Sequence, residues 1–270
     1  MPKPLVTDAM WGLVEPLLPP EQPKPKGGRP RVDSRAALAG ILFVPKTGIP
    51  WEMLPQEMGC GSGMTCWRRL KEWHESGVWD RLHRVLLGRL GKADRINRQR
   101  ASLDSATVPA PGGEKTGPNP TDRGKRGSKR HLIVDGGGVP LTVILTAANV
   151  HDSKVFEELL IPLKPVRRPG RGRPRKRPEK LHADKGYDFR RCRQALHRRG
   201  IKSRIARRGV DTSERLGRHR WVVERTLAWL NRYQRLKVRY ERRADIHQAF
   251  LSLGCALVCW NYVQRFCEEY

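Results

Sequence analysis

Acidic side chains are scarce: 27 Asp and Glu stand against 54 Lys and Arg in 270 residues, a formal net charge of +27. A compact chain with that surplus repels itself, so it calls for a polyanionic partner, nucleic acid first and an anionic membrane surface second. Long apolar runs are missing as well, and none approaches the roughly 18 consecutive residues of a membrane span. Met1-Pro2-Lys3-Pro4 lacks the basic-then-apolar pattern of a secretory signal. Membrane, secreted and disordered proteins are thus set aside, and a cytoplasmic one is expected. Cys60, Cys66, Cys192, Cys255, Cys259 and Cys267 contain no C-x-x-C pair, which weakens a zinc reading. Buried, reduced thiols fit better, with Cys255 and Cys259 one helical turn apart in an apolar stretch. No Gly-rich segment matches a phosphate-binding loop, so ATP is not implied.

What is present is uneven. The chain is 38% hydrophobic, enough for a core in one large domain or two small ones. Residues 164–243 hold 29 Lys and Arg against 7 Asp and Glu, a one-sign enrichment that favours a phosphate-binding surface. Within it, residues 164–180 carry nine basic residues and four prolines. Pro169-Gly170-Arg171-Gly172-Arg173-Pro174-Arg175 cannot build a core and reads as a basic loop that orders on DNA.

Residues 1–95 read as an all-α domain. Asp8 opens a run with Met10, Trp11, Val14, Leu17 and Leu18, and Asp33 or Ser34 can cap a second helix through Leu38, Ile41, Leu42 and Val44. Pro45 sits where that helix should still be running, so either the helix ends there or the chain carries a damaging change. After Gly61-Ser62-Gly63 comes a helix with Cys66, Leu70 and Trp73 on its apolar side and Arg68, Arg69 and Lys71 outside it. Short helices, a Gly-containing turn and a basic last helix fit a helix-turn-helix reader. A plain bundle with a solvated basic face fits equally well. Trp11, Trp51, Trp67, Trp73 and Trp79 lie among apolar residues and read as core before base-stacking.

From residue 96 the pattern turns to strands. Residues 101–108 place Leu103 on one face and Asp104 on the other, and 131–135 and 139–146 flank a Gly136-Gly137-Gly138 turn as a hairpin. A helix over 155–163 follows, then the basic loop, a strand over 180–184, a helix over 189–199, a strand over 202–206 and a helix over about 219–236. That order is the order of a ribonuclease H-like α/β domain, a mixed sheet flanked by helices. Asp104 and Asp184 end or interrupt strands, while Glu224 lies in the long helix beside a stripe read as sheet-facing that includes Trp221. Its partner is either Arg220, four residues before it, or a divalent metal shared with the two aspartates. Asp135, beside the glycines, reads as a turn residue. His182 and Tyr187 flank Asp184 and could position a phosphate or an unpaired base, with packing an equal reading for Tyr187. Asp152 reads better as a cap.

Leu103-Asp104-Ser105, Ala183-Asp184-Lys185-Gly186-Tyr187-Asp188 and residues 220–230 resemble the three acidic blocks of DDE-type transposases of bacterial insertion sequences, nearest to insertion-sequence family five. The resemblance runs nearly end to end. Residues 48–55 and 64–70 resemble that family's N-terminal DNA-binding region, and Gly127-Ser128-Lys129, Ala148-Asn149-Val150-His151-Asp152 and Arg239-Tyr240-Glu241-Arg242-Arg243 match it too. It implies that Asp104, Asp184 and Glu224 are catalytic and hold two Mg²⁺ ions, which Mn²⁺ can replace. It also implies double-stranded DNA as partner, both element ends and target, on which the protein acts as a homodimer. Sister families carry a Tyr, Arg, Glu, Lys signature in the last block; here Gly217 and Asn231 replace the Tyr and the Lys. The large insertion that some relatives carry before that block is absent. The expected DNA contacts are Trp67, Arg68, Arg69, Lys71, Arg171, Arg173, Arg175, Arg220 and Lys237. The competing reading is a non-catalytic DNA-binding repressor or an inactivated copy. A repressor has no need for three acids, and Pro45 alone supports inactivation.

Overall fold

The computed structural model describes residues 4–21, 27, 28, 30–163, 177–210 and 213–267, so Arg171, Arg173 and Arg175 of the basic stretch lie outside the described residues. An all-α region comes first: α1 (Asp8–Val14), α2 (Ser34–Thr47), α3 (Gly63–Glu75) and α4 (Val78–Lys92). Each start has a physical cause. The Thr7 hydroxyl accepts from the Met10 amide, the Asp33 carboxylate from Ala36 and the Ser62 hydroxyl from Thr65, satisfying donors that a helix N-terminus leaves open. Two 3-10 turns, at Trp51–Met53 and Gln56–Met58, fill the path between α2 and α3.

The sheet follows. Strands β1 (Arg100–Pro109), β3 (Arg126–Asp135) and β4 (Pro140–Ala147) are antiparallel, β2 (Gly117–Pro118) is a short addition to β3, and β5 (Lys180–Ala183) and β6 (Lys202–Ile205) join β1 in parallel. Helices α5 (Phe156–Leu160), α6 (Arg190–Arg198), α7 (Ser213–Leu230), α8 (Gln234–Lys237) and α9 (Ala244–Phe266) complete the chain. The expected architecture is observed, an all-α region followed by a mixed sheet flanked by helices, with β2 added and the helix expected over about 219–236 broken into α7 and α8. The elements that sequence reasoning did not delimit are α4, β2 and α9.

Strand alternation divides the core in two. Ala101, Leu103, Ile133, Leu181 and Ala183 point to the face covered by α5 and α6. Leu132 and Val134 point to the other face, where they join the helices of the N-terminal region, α7 and α9 in one continuous core. Helix α9 is the reason that core is continuous, because it packs against α3, α4, α7, α8 and β4. It is also the one helix among the described residues long and apolar enough to cross a membrane. Of its apolar window 78% is buried inside the protein.

Three arginines tie the layers together. Arg130, on β3, donates to the Leu236 and Leu227 carbonyls and to the Asn231 side chain. Arg239 donates to Ser128, Lys115, Glu241 and Arg242. Arg235 reaches Glu241 and the Ile49 carbonyl, and Glu241 also accepts from the Trp51 indole at 3.3 Å. All three guanidiniums are almost fully buried.

Pro45 does not end α2. The helix continues to Thr47 and closes at Gly48, whose φ of 84° is left-handed and whose amide donates to the Val44 carbonyl. A Cβ at Gly48 would stand 2.7 Å from that of Gln234, so the turn is also a close approach to α8. The proline ring removes the bond that residue 45 would donate to Ile41. An interior proline costs about 3 kcal/mol and less in a last turn, so Pro45→Ala is expected to gain about 1–2 kcal/mol and raise the thermal midpoint by a few degrees. A lower midpoint would show that the buried ring contributes more by packing than it costs.

His247 on α9 is fully buried and neither ring nitrogen has a hydrogen-bond partner among the described residues. Burial, then the charges of Arg239 and Arg130, push its pKa down to about 3. An unfolded histidine titrates near 6.5, so between those values the folded chain binds fewer protons than the unfolded one. Stability present above about pH 6.5 is therefore lost as pH falls toward 3. His247→Leu is expected to flatten that loss by up to about 1.4 kcal/mol per pH unit, measured by urea denaturation between pH 6.5 and 5. Parallel slopes for the two proteins would contradict it.

Candidate active site

The site grows from strand register. Ser102 on β1 pairs in parallel with His182 on β5, so two residues further along Asp104 and Asp184 stand level on neighbouring strands. Leu103 and Ala183, one residue earlier, point to the α5–α6 face. Alternation therefore turns both aspartates toward α7.

One oxygen of each aspartate is held by backbone. Asp104 Oδ1 accepts from the Ser105 amide at 2.8 Å, and Asp184 Oδ1 accepts from Gly186 at 2.9 Å, capping a 3-10 turn at Lys185–Tyr187. The second oxygen of Asp104 accepts from Arg220 at 2.9 Å. Burial, and then the neighbouring charge of Asp104, hold the Asp184 carboxyl above the usual carboxylate range, against the pull of Arg220. Burial alone would lower the Arg220 pKa, but Asp104, Asp184 and Glu224 outweigh it and hold the guanidinium above its ordinary value.

Glu224 takes a different position from the one expected. Its side chain is 58% exposed and lies 3.7 Å from Arg220. The sheet-facing stripe of α7 is Val222, Val223, Thr226, Leu227 and Leu230, all buried, while Trp221 is 48% exposed. A helical wheel reads tryptophan as apolar and so placed it inward. Of the two expected partners of Glu224, Arg220 is the one in contact with it, and Arg220 also bridges to Asp104. Among the described residues no three His, Cys, Asp or Glu side chains converge closely enough to hold a metal ion.

Tyr187 is fully buried and packs on Phe156 at 5.7 Å, which favours the packing reading. Burial first, then Asp152, Asp104 and Asp184, push its hydroxyl well above its ordinary pKa. Asp135 is the turn residue expected, its carboxylate accepting from the amides of Asn97, Gly137 and Val139. Asp152 is not a cap. That task falls to the His151 ring, which accepts from Ser153, while Asp152 pairs with Lys129 at 2.9 Å. The Lys129–Asp152 pair near the acids was missed as a unit. Its signal was the short words Gly127-Ser128-Lys129 and Val150-His151-Asp152, which sequence alone cannot bring together.

The residues named as DNA contacts fall into separate places. Arg68 and Lys237 are exposed, and Lys71 is half-buried and pairs with Glu75 at 3.4 Å. Trp67 is half-buried against the core beneath the Arg243 guanidinium, and with Trp11, Trp51, Trp73 and Trp79 it packs as expected. Arg69 is 6% exposed and donates to the Val32 carbonyl at 3.2 Å. Asn231, at the place of the sister families' lysine, is a structural acceptor for Arg130.

Comparison with known proteins agrees with this architecture. Residues 97–259 match the family described as "Transposase DDE domain", and residues 6–83 match "Putative transposase of IS4/5 family". The "Putative transposase for insertion sequence element IS402" of Burkholderia cepacia is 50% identical over 174 residues, 64% of this chain and 81% of the relative. The "Insertion element IS402 uncharacterized 16.2 kDa protein" of the same organism is 55% identical over 123 residues, 44% of this chain and 84% of the relative. Among solved structures, a Mos1 transposase paired-end complex with the left transposon end matches 86% of this chain and 82% of its own, at 14% identity and a TM-score of 0.27. With most of its sheet and helices inside one family's bounds, the chain belongs to the DDE-domain transposases, enzymes of bacterial insertion sequences of the IS4/5 kind.

Proposed function

We propose that the protein binds the terminal repeats of an insertion sequence, cleaves DNA at those ends and joins the freed 3′-hydroxyls to target DNA. In this reading Asp104, Asp184 and Glu224 hold two Mg²⁺ ions, which Mn²⁺ can replace. The observation that carries it is the pair of aspartates level on adjacent parallel strands, both turned toward the helix that bears Arg220 and Glu224. The donor set is all oxygen, as Mg²⁺ requires. Asp184, pushed up by burial and by Asp104, is a carboxyl that a nearby cation would ionise. The third ligand depends on Glu224, whose exposed side chain must turn from Arg220 to the aspartates. When bound, the metal pair activates the attacking oxygen and stabilises the leaving one in an in-line displacement.

The protein's own groups do the rest. Asp104 and Asp184 are locked in orientation by backbone amides, so little freedom is lost when they act. Arg220 balances the acids and is placed to take over a phosphate oxygen once they are otherwise neutralised. Residues 1–95 select the DNA and 96–270 carry the chemistry, with Arg68, Lys71 and Lys237 on the DNA side and the arginines of 164–180 adding backbone contacts. Arg69 is directed at the protein interior, and its part is to hold α3 in place. Two ends must be joined together, so the working form is a homodimer on DNA in the bacterial cytoplasm, with no need for ATP or a membrane.

Asp104→Asn, Asp184→Asn and Glu224→Gln are each expected to abolish nicking of the element's end DNA in Mg²⁺ while leaving its binding within about twofold; undiminished nicking by any of them removes that residue from the site. Arg220→Met leaves Asp104 and Asp184 facing each other without a counter-charge, a partly buried loss of about 1–3 kcal/mol. Without the guanidinium the raised pKa of Asp184 rises further, so the penalty is small while that carboxyl is protonated and grows as pH climbs through its pKa. Thermal midpoints of both proteins at acidic and mildly alkaline pH check this, and a pH-independent difference would show that Arg220 acts only by packing.

A further inference from the structure

We propose that the outer face of α7, continued by the end of α9, is a binding surface for unpaired DNA. Its elements form a ladder of rings and guanidiniums. The Arg225 guanidinium lies 4.6 Å from the ring centroids of both Trp221 and Trp229. Trp229 meets Tyr262 edge-on at 6.0 Å, and Tyr262 leads to Phe266 at 5.9 Å, over which Arg95 sits at 5.0 Å. A cleft of about 600 Å³ runs along the far part of this ladder, from Trp229 to Phe266. Arg225, Arg232 and Arg265 line it, and no acidic residue does among those described there.

Packing accounts for the middle of this surface, where Trp229 and Tyr262 lean on the core, but not for its two ends. Trp221 is 48% exposed and Phe266 36%, and guanidiniums lie over both rings, Arg225 over the first and Arg95 and Arg265 over the second. A chain that only needed a solvated arginine helix face would gain nothing by exposing indole to water. Flat rings interleaved with cations suit a ligand that is itself flat, stacked and anionic. Unpaired nucleotides have that character: each base offers a π-face and each linkage a phosphate. A duplex does not offer it, because its base faces are already stacked on one another.

Position supplies the reason for DNA. Trp221 directly follows Arg220, which contacts Asp104, whereas Thr226 donates to the Gly138 carbonyl at the β3–β4 turn. The ladder therefore starts one residue from the arginine that holds Asp104 and leads away along α7, a path for a strand freed at the site. The choice of DNA as ligand rests on the function proposed above; the stacking surface itself does not.

The test uses the full chain in EDTA, so that no cleavage enters. Fluorescence anisotropy measures binding of a labelled oligothymidine of about 12 nucleotides, the same backbone without bases, and a blunt duplex. Trp221→Ala and the exposed double change Arg232→Glu with Arg265→Glu are each expected to weaken oligothymidine binding at least about tenfold and duplex binding less than about twofold. The abasic strand is expected to bind the unaltered protein more weakly than oligothymidine and to be indifferent to Trp221→Ala. Equal losses on strand and duplex would reduce the surface to a general phosphate patch, and no loss would remove it. A change in sedimentation with strand binding intact would assign it to a second copy of the chain. Asp104→Asn should bind the strand as the unaltered protein does. If in a separate assay with Mg²⁺ that variant still cuts DNA, the catalytic reading fails while this one stands.

Discussion

Everything in the site depends on holding two carboxylates side by side. Asp104 and Asp184 repel each other, and the repulsion is registered in Asp184, whose carboxyl is held above its ordinary range by burial and by its neighbour. The fold sets this conflict through strand register: parallel pairing of β1 with β5 fixes the two residues at one level and on one face. The counter-charge has to come from the facing helix. Arg220 supplies it, and in bridging Asp104 to Glu224 it also fixes the rotation of α7 over the sheet. The exposed placement of Trp221 and the inward turn of Val222, Val223 and Thr226 then follow from helical geometry.

The N-terminal helices are bound to that arrangement by more than apolar contact. Trp51 and Arg235 meet at the Glu241 carboxylate, and Arg235 also grips the Ile49 carbonyl. Trp51 stacks on Phe250 of α9 at 5.9 Å. The glycines around this joint are there for clearance: a Cβ at Gly63 would fall 1.7 Å from the Trp51 carbonyl oxygen. Two sequence words that resemble the family's blocks, residues 48–55 and 239–243, are thus halves of one structural joint. Their chemistry is that of burial, since Glu241 is pushed up by desolvation and drawn back by Arg235 and the indole.

The order of strands and helices was legible because alternation and helical periodicity are local signals, and the aspartates were legible because each sits in a specific short word. Three things were not. Helix α9 was hidden because its burial on nearly all sides gives it no polar face to mark its period. The direction of Trp221 was misread because an exposed tryptophan looks like core in any periodic count. The Lys129–Asp152 pair was invisible as a pair because only the return of the chain past β4 brings those residues together. In each case the missing information is tertiary: what covers a residue cannot be read from the residue.

The charge surplus needs the same correction. A count of 29 Lys and Arg over residues 164–243 suggests a phosphate-binding surface of that size, yet Arg235 and Arg239 in this stretch are buried, as are Arg130 and Arg69 outside it. They donate to carbonyls, and burial holds Arg239 below its ordinary pKa and brings Arg130 down to about 10. Arginine suits this use because its planar fork can satisfy several backbone acceptors at once, which a lysine point charge cannot. Such guanidiniums add to net charge without adding a DNA contact. The charge open to a polyanion is therefore a subset of the surplus, and what selects it is exposure: Arg68 and Lys237 are exposed, and Arg69 is not.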